Sequence, residues 1–344
     1  MKHVVVTTGL HEADIRPTGL LDEFRKLSEK DARTYFGDPS RLVDVACPAC
    51  ECPDKELAFR KAAFSYHQCP ACKSVFVSPR PTEEALEDYY ANSEASRYRV
   101  EHFARTTGKA RRFHLLGAHA DWIAQLVDDI GNRTLRTCTD VGTTSPEVFD
   151  EISRLNLFDS LNSFRPLPVL RDELAAKGVR VFDEPVPNQG AITAIGQLEH
   201  LFSPVASAVL AHDMLGEGGL LFLTSRTVSG FDLQVLWDKA PYVFVPEHLN
   251  LLSIDGFRRL VERSGLELIE LSTPGQLDVE LTRNAMQHDP TIQPPPFIRY
   301  LLNHRGPDAH ADFQAFLQKH RLSSHVRVAA RKPTAAQAAD SGHS

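Results

Sequence analysis

The stretch Leu135-Arg-Thr-Cys-Thr-Asp-Val-Gly-Thr-Thr-Ser-Pro146 decides the fold of this chain. Its first seven residues have the apolar, β-rich pattern of a buried strand, and Gly142 opens a turn that leads into a helix over residues 145–156. Ser145 is the expected N-cap of that helix, and Pro146 suits its first position because proline has no amide hydrogen to leave unbonded. The stretch therefore predicts a strand, a tight turn and a helix.

This strand–turn–helix pattern repeats downstream, where short β-rich runs alternate with amphipathic helical segments. The further strands that we expect are residues 157–159, 179–182, 191–196, 220–224, 266–271 and 324–331. The further helices that we expect are residues 166–177, 203–215, 253–264 and 296–321. Such alternation predicts an α/β fold with a doubly wound, Rossmann-like parallel sheet and helices on both faces. Ligands of these sheets bind beyond the carboxyl ends of the strands.

Two cysteine pairs, Cys47-Pro-Ala-Cys50 and Cys69-Pro-Ala-Cys72, are separated by 18 residues in the first quarter of the chain. This spacing is typical of a four-thiolate zinc site, in which each pair supplies two corners of a tetrahedron. Because four cysteines leave no open position, we expect a structural Zn²⁺. Redox or disulfide chemistry is the alternative, although it would explain only one pair. Cys52 is a weaker competitor for the metal because it is only two residues from Cys50.

These features divide the chain into five segments. They are an N-terminal arm (1–40), a small zinc ribbon (41–80), a helical linker or lid (81–130), the sheet domain (131–332) with a helical insert (286–322), and a disordered tail (333–344). Within the ribbon, residues 57–67 have the apolar and aromatic content of a hairpin. Thr82 is the expected N-cap of a helix that follows the ribbon.

Composition narrows the classes of function. The 344 residues include 38 Lys and Arg against 45 Asp and Glu, which gives a formal net charge of −7. The chain therefore lacks the excess of positive charge that attracts nucleic acid. No run approaches the roughly 20 apolar residues of a membrane span, and the N-terminal apolar run is too short for a signal peptide. We therefore expect a cytoplasmic protein that acts on a small molecule, without a nucleic-acid or membrane partner. The sequence does not indicate an oligomeric state.

The turn after the first strand resembles motif I of the class I S-adenosylmethionine (SAM) methyltransferases. That motif is an acid, an apolar residue and then Gly-x-Gly-x-Gly, whose glycines let the backbone pass close under the cofactor. Asp140 and Gly142 match the motif, whereas Thr144 and Pro146 occupy the other two glycine positions. Motif I is therefore degenerate here. The alternative is a plain turn before a well-capped helix.

Two later stretches continue the resemblance in register. Gly196-Gln-Leu-Glu-His-Leu-Phe-Ser-Pro204 resembles the motif after the fourth strand, and Leu215-Gly-Glu-Gly-Gly219 is similar to the turn before the fifth. The resemblance implies SAM as the cofactor. Its candidate contacts are Asp140, Gly142, Thr143, Thr144, Asp159, Asp183 and Gln197. Asp159, at the end of the second expected strand, is the expected acceptor for the ribose hydroxyls, and Asp183 is the expected adenine contact.

The stretch Pro246-Glu-His-Leu-Asn-Leu-Leu-Ser253 resembles a subgroup that joins a four-Cys zinc segment to this fold. The subgroup includes sugar C-methyltransferases and surface-polysaccharide methyltransferases, and the resemblance covers residues 45–285. In it the Glu-His pair lies by the substrate and the histidine is the proposed base, which here implies Glu247 and His248. His200 is a second candidate, to orient substrate or to act as base. For both histidines a purely structural role is the alternative.

Three hypotheses about function follow. The first is SAM-dependent methyl transfer to a small molecule such as a nucleotide-linked sugar or glycan precursor. The second is a methyltransferase-fold protein that no longer transfers a methyl group and acts as a binding or scaffold protein. The third, a zinc-ribbon nucleic-acid binder, is disfavoured by the acidic net charge. Tyr242 is a candidate to line a substrate cleft, whereas Trp237 is expected to pack in the interior.

Overall fold

The computed structural model describes residues 9–335, which form two larger sheets and one small two-stranded ladder. The strands, in chain order, are β1 (Leu42–Val43), β2 (Glu56–Lys61), β3 (Phe64–Gln68), β4 (Val75–Val77), β5 (Arg80–Pro81), β6 (Thr137–Val141), β7 (Ser160–Phe164), β8 (Arg180–Phe182), β9 (Gln189–Ile195), β10 (Leu215–Arg226), β11 (Asn250–Leu251), β12 (Glu267–Ser272) and β13 (His325–Arg331). The expected disordered tail lies, from residue 336 onward, outside the described residues.

Helices account for most of the remaining described chain. They are α1 (Glu12–Ile15), α2 (Thr18–Phe36), α3 (Glu83–Asn92), α4 (Glu94–Tyr98), α5 (Arg105–Arg111), α6 (Gly117–Ile130), α7 (Glu147–Arg154), α8 (Arg171–Ala176), α9 (Pro204–Met214), α10 (Phe231–Leu236), α11 (Ile254–Arg263), α12 (Asp278–His288), α13 (Pro296–His304) and α14 (Pro307–Lys319). Two π-helical turns, Arg99–Ala104 and Arg112–Leu116, join α4, α5 and α6 into one helical segment, residues 94–130. None of the helices in residues 9–335 is long and apolar enough to cross a bilayer.

The central sheet has seven strands in the order β8-β7-β6-β9-β10-β13-β12. Strands β6 to β10 pair in parallel, while β13 runs antiparallel to both β10 and β12. This mainly parallel order is typical of the Rossmann-like methyltransferase fold, so the predicted fold class is confirmed. The chain reverses its direction of travel across the sheet at β6, and the crevice between β6 and β9 is the position at which such sheets bind ligands.

Apolar side chains alternate between the two faces of the sheet, which explains why helices cover both. Ile192 and Leu221 belong to the core shared with α9 and α11, whereas Ala191 and Phe222 belong to the core shared with α6 and α7. Neighbouring residues of a strand point to opposite faces. The near-continuous apolar content of β9 and β10 therefore follows from burial on both sides.

The second strand starts three residues later than expected. β7 is Ser160–Phe164, and Asp159 precedes it rather than ending it. The error has a physical cause, because the strand carries polar side chains into the interior. Asn162 and Ser163 are buried there, bonded to Thr139 and Thr143 respectively. A search for apolar runs misses a strand of this kind.

The helix after the first turn also differs from expectation. It begins at Glu147, with Pro146 in the N-cap position and no side-chain cap. The Ser145 hydroxyl instead donates to the Glu147 carboxylate, at 2.6 Å. By contrast, Thr82 caps α3 as predicted, since its side chain accepts the Ala85 amide at 3.2 Å.

The ribbon shares its sheet with the larger domain. Its order is β11-β4-β3-β2, so the predicted hairpin (β2 and β3) is extended by β4 and then by β11 from residues 250–251. Asn250 pairs with Phe76 and Leu251 with Val75. Residues 41–80 are therefore joined to the larger domain by backbone hydrogen bonds as well as by packing.

Candidate functional site

A cavity of about 310 Å³ lies beside the carboxyl ends of β6, β9 and β10. Thr144, Gly196 and Arg226 line it from these strand ends, and the 94–130 helical segment and residues 242–248 cover it. Cavities that hold small molecules in proteins typically start at about 300 Å³. Its place in the sheet and its size make this cavity the candidate functional site.

Two glycines with positive φ bound the crevice between β6 and β9. Gly142 has φ +65 and Gly196 has φ +64, a backbone region that residues with a Cβ rarely adopt. Among the described residues, a Cβ placed on Gly142 would meet only the Gln197 side chain, at 3.5 Å, and one on Gly196 would meet no atom within 4 Å. The Thr144 and Pro146 side chains therefore do not cover Gly142, and the turn remains open to a ligand.

Gln197 is the side chain that borders the open turn. Its Nε2 donates to the Thr144 hydroxyl at 3.1 Å, which ties the segment after β9 to the segment after β6. Two predicted cofactor contacts, Gln197 and Thr144, are thus brought together at the crevice. A ligand that approaches Gly142 closely would contact the Gln197 amide first.

Asp140 and Thr143 support the turn from below. Asp140 accepts hydrogen bonds from the Thr143 hydroxyl at 2.7 Å and the Thr193 hydroxyl at 2.6 Å. Burial raises the pKa of Asp140 to about 6, although the two hydroxyls act against that shift. Both side chains are buried and neither lines the cavity. Asp140 and Thr143 therefore stabilise the conformation of the turn and do not contact the cavity.

Asp159 does not lie at the cavity. It precedes β7, at the amino end of the parallel strands, and pairs with Arg136 at 2.8 Å. The predicted ribose contact by Asp159 is therefore wrong, because the carboxylate sits at the opposite edge of the sheet. The residue that follows β7 at the carboxyl edge is Arg165, whose Nε donates to the Asp183 carbonyl at 3.0 Å. Asp183 does follow β8, where Arg171 binds its carboxylate.

The three predicted catalytic side chains meet at the cavity wall. The rings of His200 and His248 lie 5.3 Å apart, and Glu247 Oε2 is 4.0 Å from His200 Nδ1. Glu247 is buried and accepts from Arg99 Nη1 at 2.5 Å and from the Tyr89 hydroxyl at 3.4 Å. Arg99 carries no motif and comes from the distant 94–130 helical segment, so its place here could not be predicted from the sequence.

Both histidines are neutral in this environment. Burial lowers the pKa of His200 to about 3, with Arg99 as the next cause. Burial also lowers the pKa of His248 well below its ordinary value, followed by the effects of His200 and Arg226. The Phe244 amide donates to His248 Nδ1 at 3.3 Å, so the ring proton is on Nε2. His248 is therefore a hydrogen-bond donor at Nε2 in the neutral form.

The four predicted zinc ligands form a cluster in which all sulfur atoms lie within 4.8 Å of one another. Cys47 and Cys72 are 3.5 Å apart at Sγ, as are Cys50 and Cys69. Tetrahedral zinc with bonds of about 2.3 Å places its sulfurs about 3.8 Å apart, so the cluster fits this metal. Cys52 is outside the cluster, and its carbonyl accepts the Cys47 amide at 3.0 Å.

The cysteine cluster docks on α11 and reaches the cavity wall through β3. Ser253, the N-cap of α11, donates to the Cys72 carbonyl and accepts from the Gly256 amide at 2.9 Å. In β3, the Tyr66 hydroxyl donates to the His248 carbonyl at 2.8 Å. The ribbon is therefore bonded directly to the segment that carries the predicted catalytic pair.

Solved structures are similar to this chain, whereas no protein-family model and no curated protein matches it. A chain from the complex of the Haloferax volcanii methyltransferase activator Trm112 with a methyltransferase is 11% identical, covers 66% of this chain and 96% of that chain, and has a TM-score of 0.45. Coclaurine N-methyltransferase bound to N-methylheliamine and SAH is 11% identical, covers 63% and 72%, and scores 0.39. Mycolic acid cyclopropane synthase CmaA1 with SAH is 15% identical, covers 62% and 84%, and scores 0.40.

Sequence identities of 11–15% and TM-scores of 0.39–0.45 do not support any conclusion about the activity of this chain. The strand order of the central sheet defines the fold, and the residues of the cavity define the chemistry that it can support.

Proposed function

We propose that the protein transfers the methyl group of SAM to a small molecule of the nucleotide-linked sugar or glycan-precursor class. One observation carries the proposal. A single cavity is lined on one side by Gly196 and by Thr144, two residues after the open turn at Gly142, and on the other by Glu247, His248 and His200. The methyltransferase-like sheet supports it, because its strand order places this cavity at the switch point.

The turn fits SAM where the cofactor has to approach the backbone. Bound SAM would supply an electrophilic methyl group on a sulfonium sulfur. Gly142 and Gly196 leave room for the ligand, and Asp140 holds the turn in place. The ribose hydroxyls lack the usual carboxylate acceptor, since Arg165 follows β7. Asp183 and Gln197 are the remaining candidates at this edge.

On the side of the cavity where the methyl acceptor would bind, the candidate contact is a neutral hydrogen-bond donor. His248 presents Nε2–H while the Phe244 amide holds its Nδ1. The Arg99–Glu247 ion pair, at 2.5 Å, fixes the same segment. A neutral imidazole with a strongly lowered pKa is a poor general base. We therefore assign His248 the task of orienting the acceptor oxygen, in place of the expected role as a base.

A second candidate function is ligand binding without methyl transfer. The Gln197–Thr144 hydrogen bond across the crevice favours it, and so does Arg165 in the usual place of a ribose acceptor. Both features weaken SAM contacts while leaving the cavity intact.

Calorimetry with SAM and S-adenosylhomocysteine separates the two functions. The first predicts micromolar binding that Gly142→Arg abolishes, because a side chain there fills the crevice. Gly178→Arg is the matched control, since Gly178 also has a positive φ of +76 but lies away from the cavity. Absence of heat at millimolar ligand would exclude methyl transfer and leave ligand binding.

The proposed partners are a small-molecule ligand and structural Zn²⁺, without nucleic acid or membrane. A filter-binding assay at low salt tests the nucleic-acid part, because electrostatic binding is strongest there. Retention of DNA or RNA on the filter would contradict it.

A further inference from the structure

Five arginines line the cavity, and methyl transfer to a neutral acceptor would not require them. They are Arg16, Arg99, Arg111, Arg226 and Arg327. They come from the end of α1, the 94–130 helical segment, the end of β10 and the interior of β13. These arginines lie far apart in the sequence and come together only in the folded protein.

In the described part of the chain, three of these guanidinium groups have no carboxylate partner. Arg99 pairs with Glu247 at 2.5 Å, and Arg226 Nη2 pairs with Asp232 at 2.7 Å. Within residues 9–335, no carboxylate lies within 4 Å of the guanidinium of Arg16, Arg111 or Arg327. Arg16 and Arg327 instead lie over the rings of Tyr242 and Trp122, at 5.0 and 5.3 Å.

The carboxylates that line the same cavity are engaged elsewhere. Glu199 accepts from the Ser225 hydroxyl at 2.8 Å. Asp278 accepts from the Ser323 hydroxyl at 2.6 Å. Glu147 accepts from the Ser145 hydroxyl at 2.6 Å. None of these three carboxylates forms an ion pair within 4 Å with Arg16, Arg111 or Arg327 in the described residues. Nearby carboxylates offset part of the effect of burial, since Glu147 raises the pKa of Arg111, but burial remains the largest effect on all three arginines.

The cations affect one another because they face one low-dielectric space. Burial lowers the pKa of Arg16 to about 10, and Arg226 is the next cause. Burial lowers the pKa of Arg327 to about 10 as well. The pKa of Arg111 is lowered by burial and then by Arg99. An anion placed among these groups would relieve the repulsion.

Buried polar atoms in the cavity also lack partners. His119 is only 4% exposed, and neither of its ring nitrogens has a hydrogen-bond partner in the described part of the chain. The same holds for Nε of Arg226 and of Arg327. Buried donors and acceptors are almost always bonded in native proteins. These atoms therefore indicate a ligand that supplies the missing partners.

We propose that the cavity binds an acceptor that carries at least two negative charges, as phosphate or carboxylate groups. Arg16, Arg111 and Arg327 are its ion-pairing contacts, and His119 is a neutral hydrogen-bonding contact. Arginine suits both chemistries because its planar fork binds two oxygens at once. Naming this ligand as the acceptor rests on the proposed function, whereas the binding of the anion does not.

Calorimetry without SAM tests the proposal, with pyrophosphate, citrate and uncharged sucrose as probes. We expect the two anions to bind and sucrose not to. Arg111→Gln and Arg327→Gln should each weaken anion binding at least tenfold, which is the loss of one charge-assisted contact. The matched control is Arg112→Gln, a neighbouring surface arginine paired with Glu151 at 2.7 Å, which should leave the affinity unchanged.

The relative affinities for the two anions show which charged group of the ligand the cavity binds. Tighter binding of pyrophosphate than citrate assigns phosphate, and the reverse order assigns carboxylate. The proposal is overturned if neither anion binds at about 10 mM, or if the variants that retain a native unfolding midpoint bind as tightly as the unaltered protein. SAM titrated into the same samples keeps the two claims apart. Anion binding without SAM binding would remove methyl transfer and leave this inference in place.

Discussion

At the scale of single residues, Arg165 is the clearest departure from a SAM site. It directly follows β7, at the position from which an acid usually binds ribose hydroxyls. Its φ of +48 lies in the left-handed region, which Asp and Asn tolerate better than most residues. This position is therefore open to a direct test by substitution.

Arg165→Asp should tighten SAM binding about tenfold, because a charged acceptor contributes about 1.5–3 kcal/mol to a hydrogen bond. Calorimetry measures the change. Asp159→Asn is the control and should leave SAM affinity unaltered, since Asp159 lies at the amino edge of the strands. A loss of affinity in Arg165→Asp would show that the arginine itself contacts the ligand.

His248 permits a second test at this scale. His248→Ala should lower turnover by about 10², as expected for loss of a group that acts on the acceptor. His248→Gln keeps an amide donor near the position of Nε2 and should retain most of the turnover if orientation is the task. Equal losses in both variants would instead support proton abstraction. SAM affinity should be unchanged in either.

At the scale of elements, the contact between α11 and the ribbon leaves no spare room. A Cβ on Gly256 would lie 2.1 Å from the Ser74 hydroxyl, whose position is fixed by bonds to Ser253 and Cys72. The glycine is thus required by the close approach of the cysteine cluster to the helix.

Gly256→Ala should destabilise the protein by about 1–3 kcal/mol, the usual cost of overpacking, despite the higher helix propensity of alanine. Gly117→Ala in α6 is the matched control. Its Cβ would meet its nearest neighbour at 3.6 Å, so a gain of up to about 1 kcal/mol is expected. Urea unfolding measures both. Equal stability of the two variants would contradict tight docking of the ribbon.

The sequence predicted elements well where apolar patterning dominates. Strands β6, β9 and β10 lie where their buried runs placed them, and the cysteine spacing predicted a cluster that the structure shows. β7 was misplaced because Asn162 and Ser163 are polar yet buried. Tertiary hydrogen bonds satisfy them, and no local pattern records such bonds.

The cavity was only partly predictable for a related reason. Glu247, His248 and His200 follow motifs, so their meeting could be inferred. Arg99 and Arg327 lie about 230 residues apart in sequence and carry no motif. Only the folded arrangement of the 94–130 helical segment against β13 brings them to one space.

At the scale of the whole molecule, four histidines with lowered pKa values, two of them buried and two half-buried, predict acid sensitivity. The pKa values of His200 and His325 are lowered to about 3, and those of His119 and His248 are lowered well below 6.5, in each case chiefly by burial. The unfolded chain therefore takes up protons near pH 6.5 that the folded chain refuses. This contribution to stability is complete above pH 6.5 and is lost as the pH falls towards 3.

Acidic groups with raised pKa values act in the opposite sense. Asp140, with a pKa of about 6, makes folding more favourable as the pH falls from 6 to 3.8, and Glu199 and Asp278 are shifted in the same direction. Between pH 7 and 5, Asp140 contributes about 1 kcal/mol of stabilisation against about 2 kcal/mol of loss for each histidine with a pKa near 3. The histidines therefore dominate.

Urea unfolding at pH 7 and pH 5 should show a clear loss of stability on acidification. His325→Gln should reduce that loss by about 2 kcal/mol, because it removes one of the titrating groups. His304→Gln, at an exposed position on α13, is the control and should not change it. A stability that is flat over this pH range would exclude neutral burial of the four rings.

The hydrogen bond from Tyr66 to the His248 carbonyl and the pairing of β4 with β11 connect the ribbon to residues 248–251 beside the cavity. Ligand binding should therefore depend on the metal content of the ribbon. If the four-cysteine cluster binds Zn²⁺ as proposed, protein without the ion should hold residues 242–251 less firmly. Ligand affinity should then rise and fall with the loaded fraction of the population, even though no cysteine comes near the ligand.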